Sequence, residues 1–167
     1  MADNFRAVYD RAKEFQAQKC FDDAMMELNK IIELAKDIQE EKGSLKSFLA
    51  RVWNDRGHLK YLQVDFYGAV NDFTEAIMLD NKFAVPLYNR GQIHYRMDTK
   101  IEMAPKGFKP IGSAMPVQCS PNTQLGAGRY QQAIDDLTEA IRIDPTFEDA
   151  ILNLEQAMQD LKHDSTD

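Results

Sequence analysis

Cysteine, histidine and tryptophan are scarce in this chain of 167 residues, which holds two, three and one of them. Cys20 and Cys119 form neither a metal-spaced pair nor a disulfide framework. His58, His94 and His163 show no i, i+4 pairing with a second His, a Cys or a zinc-binding carboxylate set, so each reads as a structural or exposed histidine. Positive charge is also short. Twenty Lys and Arg against 27 Asp and Glu leave a net charge of -7 with no basic stripe, which argues against nucleic acid, whose phosphates are bound by clustered Lys and Arg. No run of 18 apolar residues is present to span a bilayer, and the first residues lack the apolar stretch of a secretory signal. A soluble, intracellular and most simply cytoplasmic chain is expected. G-x-S-x-G, P-loop and G-x-G-x-x-G motifs are missing, and the "GAGR" at 126–129 reads as a short turn. These absences point away from an enzyme and imply no cofactor or metal.

What is present is helix-forming composition and an internal repeat. Hydrophobic residues make up 44% and charged residues 28%, in the range of a globular domain, and Glu, Lys, Ala, Leu and Gln favour helix. The length suits a single domain over 1–167. "NDFTEAIMLDN" (Asn71 to Asn81) and "DDLTEAIRIDP" (Asp135 to Pro145) agree at six of eleven positions, 64 residues apart.

A helix-turn-helix unit of 34 residues explains that spacing. With Trp53 at position 4, Gly57 falls at 8, Ala69 at 20, Phe73 at 24 and Ala76 at 27. Leu87 and Gly91 then take positions 4 and 8 of the next unit, inside "YNRGQIHYR", which parallels "NDRGHLKYL". After an interruption the pattern resumes with Gly128 at 15, Tyr130 at 17, Ala133 at 20, Leu137 at 24, Ala140 at 27 and Pro145 at 32. The 64 is therefore one period of 34 plus an insertion of 30 residues, 98–127. That insertion holds four of the six prolines and no helical or alternating period, so a loop is expected. It reads either as a functional projection carrying Lys100, Lys106, Phe108 and Lys109 or, preferably, as a segment absent from most relatives, because the repeat resumes in register after it; loop closure grows only logarithmically with length, so its removal should leave the flanking helices paired.

A degenerate earlier copy spans 5–38, with Val8, Ala12, Phe15, Ala24, Leu28 and Ile31 at positions 4, 8, 11, 20, 24 and 27. Its second helix is expected to run from Phe21 to Lys42, with Gly43 as a stop, Ser44 as an N-cap and the next helix from near Leu45. Full repeats follow at 50–83 and 84–147, and 148–162 forms a helix without a partner, as expected of a cap on the last hydrophobic face. The fold expected is all-α: an α-solenoid of about three helical pairs with a C-terminal capping helix. Small residues at positions 8, 20 and 27 and a larger one at 24 belong to packing. Acidic pairs such as Asp22-Asp23 and Asp135-Asp136 are expected to lie solvated on the second helices.

These motifs resemble the tetratricopeptide repeat family over roughly residues 5–162 apart from the insertion. There are departures: Lys60 and His94 stand at position 11, where an aromatic is usual, and Val64 replaces the position 15 glycine. The resemblance implies protein or peptide binding on a groove lined by the first helix of each pair, helix A. Carried over, the groove positions include Arg6, Tyr9, Lys13, Gln16 and Ala17, then Arg51, Asn54, His58, Tyr61 and Leu62, then Val85, Tyr88, Gln92, Tyr95 and Arg96. The candidate partner-binding set is Arg51, Asn54, His58, Tyr61, Tyr88, Asn89, Gln92, Tyr95 and Arg96, rich in the Tyr and Arg that dominate interfaces. The family also includes members that hold acidic chaperone tails in a carboxylate clamp. Its positions correspond here to Tyr9 and Lys13, Asp55, and Val85 and Asn89, so no such clamp is expected. A monomeric, non-catalytic adaptor is the leading expectation. A self-associating structural module and, more remotely, a small-molecule or enzymatic groove are the alternatives.

Overall fold

The computed structural model describes residues 2–36, 43–99 and 123–164. Among these residues there are seven α-helices and no strand: α1 (Ala2–Ala17), α2 (Phe21–Lys36), α3 (Gly43–Leu62), α4 (Phe66–Leu79), α5 (Ala84–Thr99), α6 (Thr123–Ile143) and α7 (Glu148–Asp164). In repeat terms α1, α3 and α5 are helix A, and α2, α4 and α6 are helix B. The all-α helical-repeat class expected from the period is the class observed.

Local chemistry ends and restarts the helices. The turns after α1 and α3 each place one residue in the left-handed region, Lys19 at φ 59 and Val64 at φ 66. Both stand at position 15, the place of the missing glycine. Asp65 then caps α4, its Oδ1 accepting from the Gly68 N–H at 2.9 Å, which satisfies one orphan donor of the first turn. The matched aspartates at position 31 build the turns out of helix B. Asp80 Oδ1 accepts from the Lys82 N–H at 3.1 Å, and Asp144 Oδ1 accepts from the Thr146 N–H at 3.0 Å and the Thr146 hydroxyl at 2.7 Å.

Three boundaries differ from expectation. The third helix starts at Gly43 rather than near Leu45, so Gly43 opens a helix instead of only closing one. At the insertion, α5 continues through Thr99 and α6 begins at Thr123, so helix occupies both edges of the segment read as loop, and Gly128 lies within α6. Once a helix is nucleated each added residue costs little, and Gln124, Leu125 and Ala127 are good helix formers. Residues 37–42, the expected end of the second helix, and 100–122, the body of the insertion, lie outside the described residues.

The chain divides into two compact units, 1–89 and 90–167. The first is centred on Phe5, Val8 and Ala12 of α1, Ala24, Leu28, Ile31 and Ile32 of α2, and Val52 and Leu59 of α3. Burying a Leu or Ile side chain of this kind contributes about 1.5–3 kcal/mol before the entropy of ordering it is counted. Trp53, Leu45 and Phe48 pack on its edge. In the second unit Ala133, Leu137 and Ala140 of α6 and Ala150 and Ala157 of α7 are fully enclosed.

The position 8 glycines owe their identity to close approach. A Cβ on Gly57 would stand 2.8 Å from Phe73 Cε1, and one on Gly91 would stand 3.1 Å from Leu137 Cγ. Helix A and helix B thus meet in the same way in both repeats, with glycine at 8 against the large residue at 24.

Candidate functional site

The polar side chains between the helices are used in a regular way. Within each pair an arginine at position 7 of helix A meets an acid at position 23 of helix B. In the second repeat Arg56 makes a bidentate pair with Asp72, Nε to Oδ2 at 2.7 Å and Nη2 to Oδ1 at 2.8 Å, and Lys60 adds Nζ to Oδ1 at 2.9 Å. The Asp72 side chain is 2% exposed, so all three charges are held in a low-dielectric gap where the paired geometry is what makes burial tolerable. Arg56 also stacks over Trp53 at 4.4 Å and donates to Asn29 at 2.8 Å. In the third repeat Arg90 pairs with Asp136 at 2.9 and 2.6 Å, and His94 Nε2 lies 4.0 Å from Asp136 Oδ2. In the first, Arg11 lies 3.3 Å from Glu27 Oε2, an ion pair without hydrogen-bond geometry, and Lys30 bonds Oε1 at 2.8 Å.

This arrangement corrects one expectation and explains another observation. Asp136 is buried, not a solvated carboxylate on an outer helix surface. The basic residues at position 11, Lys60 and His94, replace the usual aromatic because each faces the acid at position 23.

A second set of contacts joins one helix A to the next within the first unit. The Tyr9 hydroxyl donates to Asp55 Oδ2 at 2.7 Å, and Lys13 Nζ reaches the same oxygen at 3.2 Å. Asn54 Nδ2 donates to Asp55 Oδ1 at 3.3 Å, while Asn89 Nδ2 donates to Asn54 Oδ1 at 3.0 Å. Position 5 of one helix A therefore meets position 6 of the next, in Tyr9 with Asp55 and again in Asn54 with Asn89. Burial, and after it the Asp55 charge and hydrogen bond, push the Tyr9 phenol well above its ordinary range. In the second unit the Tyr95 hydroxyl donates to Asp160 Oδ2 of α7 at 2.5 Å, and burial followed by this bond raises the Tyr95 phenol likewise. Tyr95 also packs edge-on against Tyr130 at 5.9 Å.

The nine candidate residues consequently fall into different environments. Asn54 is buried, and it and Asn89 are joined to each other. Tyr95 ties α5 to α7. Arg51, His58 and Arg96 are exposed. Tyr61, half-buried, has its ring 6.3 Å from His58 and 5.8 Å from Phe66. Tyr88 and Gln92 are half-buried on α5. Among the described residues no group of three or more His, Cys, Asp or Glu is placed to hold a metal ion, and no helix is long and apolar enough to cross a membrane. Tyr9 and Lys13, both groove positions, form with Asp55 a cluster that lies outside the nine candidate residues. Its signal in the sequence was an acid at position 6 of α3 across from a lysine at position 9 of α1.

An all-α repeat with this internal bookkeeping of arginine, acid and small residues defines a helical-repeat solenoid. The family model described as tetratricopeptide repeat matches residues 122–147. The fold agrees over nearly the whole chain with solved structures. The first tetratricopeptide repeat domain of Spaghetti (RPAP3), bound to the HSP90 peptide SRMEEVD, superposes with a TM-score of 0.67 at 12% identity, covering 97% of this chain and 96% of that one. The TPR2B domain of yeast Sti1 in its pHsp70 complex gives 0.61 at 13% identity, with 95% and 96% covered. MamA gives 0.57 at 15% identity, with 98% and 82% covered. At these identities the likeness is one of fold.

Proposed function

We propose that the chain is a non-catalytic adaptor that takes a peptide or a segment of a partner protein on the exposed face of its helix A elements. The observation that carries this reading is how the polar side chains are distributed. The residues that recur between repeats are consumed by helix pairing and turns, whereas Arg51, His58 and Arg96 remain exposed on helix A. Arg51 and His58 lie on the same face of α3 seven residues apart, with the Tyr61 ring next to His58, so α3 offers a cation, an imidazole and an aromatic along one line. Two proteins of the same fold carry an HSP90 peptide and pHsp70. That use of the fold supports a peptide-binding role here, while Asp55 argues against an acidic tail as the ligand. The same reading places the protein in an intracellular, reducing compartment, where an exposed free Cys20 is ordinary.

The test is affinity capture from cell extract with the wild type and with the double variant Arg51→Glu, His58→Ala, the captured proteins being identified by mass spectrometry. Both side chains are exposed, so the melting temperature should be unchanged, and a discrete subset of captured proteins should disappear. Identical captured sets would sink the groove reading.

A further inference from the structure

The two copies of the repeated segment differ where their second helices face outward. In α6, Glu139 at position 26 is neutralised by Arg142 at position 29 in a bidentate pair at 2.7 and 2.6 Å. In α4 the same glutamate, Glu75, is kept, but position 29 is Met78, and among the described residues nothing bonds to or pairs with the Glu75 carboxylate. Position 18 differs in the same sense, with Tyr67 in α4 and Gln131 in α6. Tyr67 and Met78 are 61% and 67% exposed, so neither is held by core packing. Eleven residues apart, they stand about three turns, roughly 16 Å, from each other on one side of α4, with Asn71 and the half-buried Glu75 between them. The opposite side carries the buried Ala69, Phe73 and Ala76.

We propose that this outward face of α4 is a second docking surface, independent of the helix A face, and that its partner is a basic amphipathic helix of another protein. That helix lays apolar side chains on Tyr67 and Met78 and sets a lysine or arginine over Glu75 between them. Tyrosine and methionine are both enriched at interfaces, the first as a rigid anchor and the second as an adaptable one. Charge selects the partner. From Asp65 to Asn81 the exposed and half-buried charges are Asp65, Glu75 and Asp80, with no Lys or Arg before Lys82, while Asp72 is turned inward to Arg56 and Lys60. A face that carries acids alone attracts a cationic segment and repels an acidic one. The same charges exclude a second copy of the chain, because a two-fold contact sets one patch against itself and brings these acids together. On α6 the polar Gln131 and the paired Glu139 remove both attractions, so the surface is not a general property of the second helix.

The experiment measures anisotropy of a fluorescein-labelled, amidated peptide of about 15 residues, long enough to form a helix, with the purified full chain. Its leucines stand at i, i+3, i+4, i+7 spacing and its other residues are lysine; a second peptide has glutamate in place of lysine. Wild type should bind the lysine peptide saturably below about 1 mM and should not bind the glutamate peptide. The double variant Tyr67→Gln, Met78→Arg gives α4 the side chains of α6 at both positions and should weaken binding at least about tenfold. Glu75→Gln, which keeps the shape, should weaken it severalfold. Glu139→Gln removes the same unit of charge from α6 and should leave binding unchanged, which separates this surface from the general attraction of a chain of net charge -7 for cations. Circular dichroism checks that each variant is folded, and Glu75→Gln tests the site even where the double variant does not fold. No saturable binding by wild type, equal binding of the two peptides, a folded double variant with undiminished affinity, or equal effects of Glu75→Gln and Glu139→Gln would overturn the proposal. So would a concentration-dependent mass that the double variant abolishes, since the occupant would then be a second copy.

Discussion

Among the described residues Val64 carries the clearest backbone strain. Its φ of 66 places a β-branched side chain in the left-handed region, where Cβ crowds the backbone at a cost of about 1–2 kcal/mol. The same backbone at Lys19, the equivalent position of the first repeat, shows that the conformation belongs to the turn and not to valine. The side chain is 60% exposed, so it returns little packing. Val64→Gly should therefore stabilise the protein by about 1 kcal/mol, less a few tenths for glycine's greater freedom in the unfolded chain. Urea titration should show a higher midpoint at unchanged slope; an equal or lower midpoint would refute the account. The departure from glycine at position 15 was visible in the sequence. The positive φ that gives it meaning was not, since a dihedral follows from how two helices must be joined.

At the scale of helix pairs, the ion pair linking positions 7 and 23 does the ordering. Arg56 and Asp72 stand 16 residues apart, as do Arg11 and Glu27, and Arg90 and Asp136 stand 46 apart, which is 16 plus the 30 inserted residues. Asp72→Asn leaves Arg56 and Lys60 facing each other without a counter-charge in a buried gap. A cost of about 3 kcal/mol is expected, because removing one partner of a buried pair strands the other. Glu139→Gln provides the contrast. Its partner Arg142 is also bidentate, at 2.7 and 2.6 Å, but the pair is on one helix surface and exposed, so no measurable change in stability is expected. Thermal melts of the two variants decide the matter, and equal effects would mean that burial is not what matters. The signal was legible as an arginine followed sixteen residues later by an acid. It was missed because acidic pairs on helices are usually solvated, and Asp136 inside "IDDL" differs from exposed Asp135 only in the direction its side chain points.

Across the whole molecule, tyrosine hydroxyls link one helix pair to the next element, Tyr9 to Asp55 in the first unit and Tyr95 to Asp160 in the second. Both phenols are raised above their ordinary value of 10.0, first by burial and then by the neighbouring carboxylate. Raised pKa values in the folded state mean that folding favours the protonated phenol. Their contribution is present in full below about pH 10 and is lost as pH climbs above it. Stability followed by circular dichroism should fall above pH 10, and the double variant Tyr9→Phe, Tyr95→Phe should flatten that fall; an unaltered alkaline limb would rule out these two groups as its cause. The order of the helices, the 34-residue period and the inserted segment can all be read from the amino acids alone, because small and large residues recur at helical spacing and Pro-rich segments break it. Which polar groups meet could not be read that way. Asn54 and Asn89, expected on the partner face, bond each other, and Asp55, off the groove positions, accepts from Tyr9. Periodicity assigns a residue to a face, but whether that face meets solvent or a side chain 35 or 46 positions away is settled only when the helices pack.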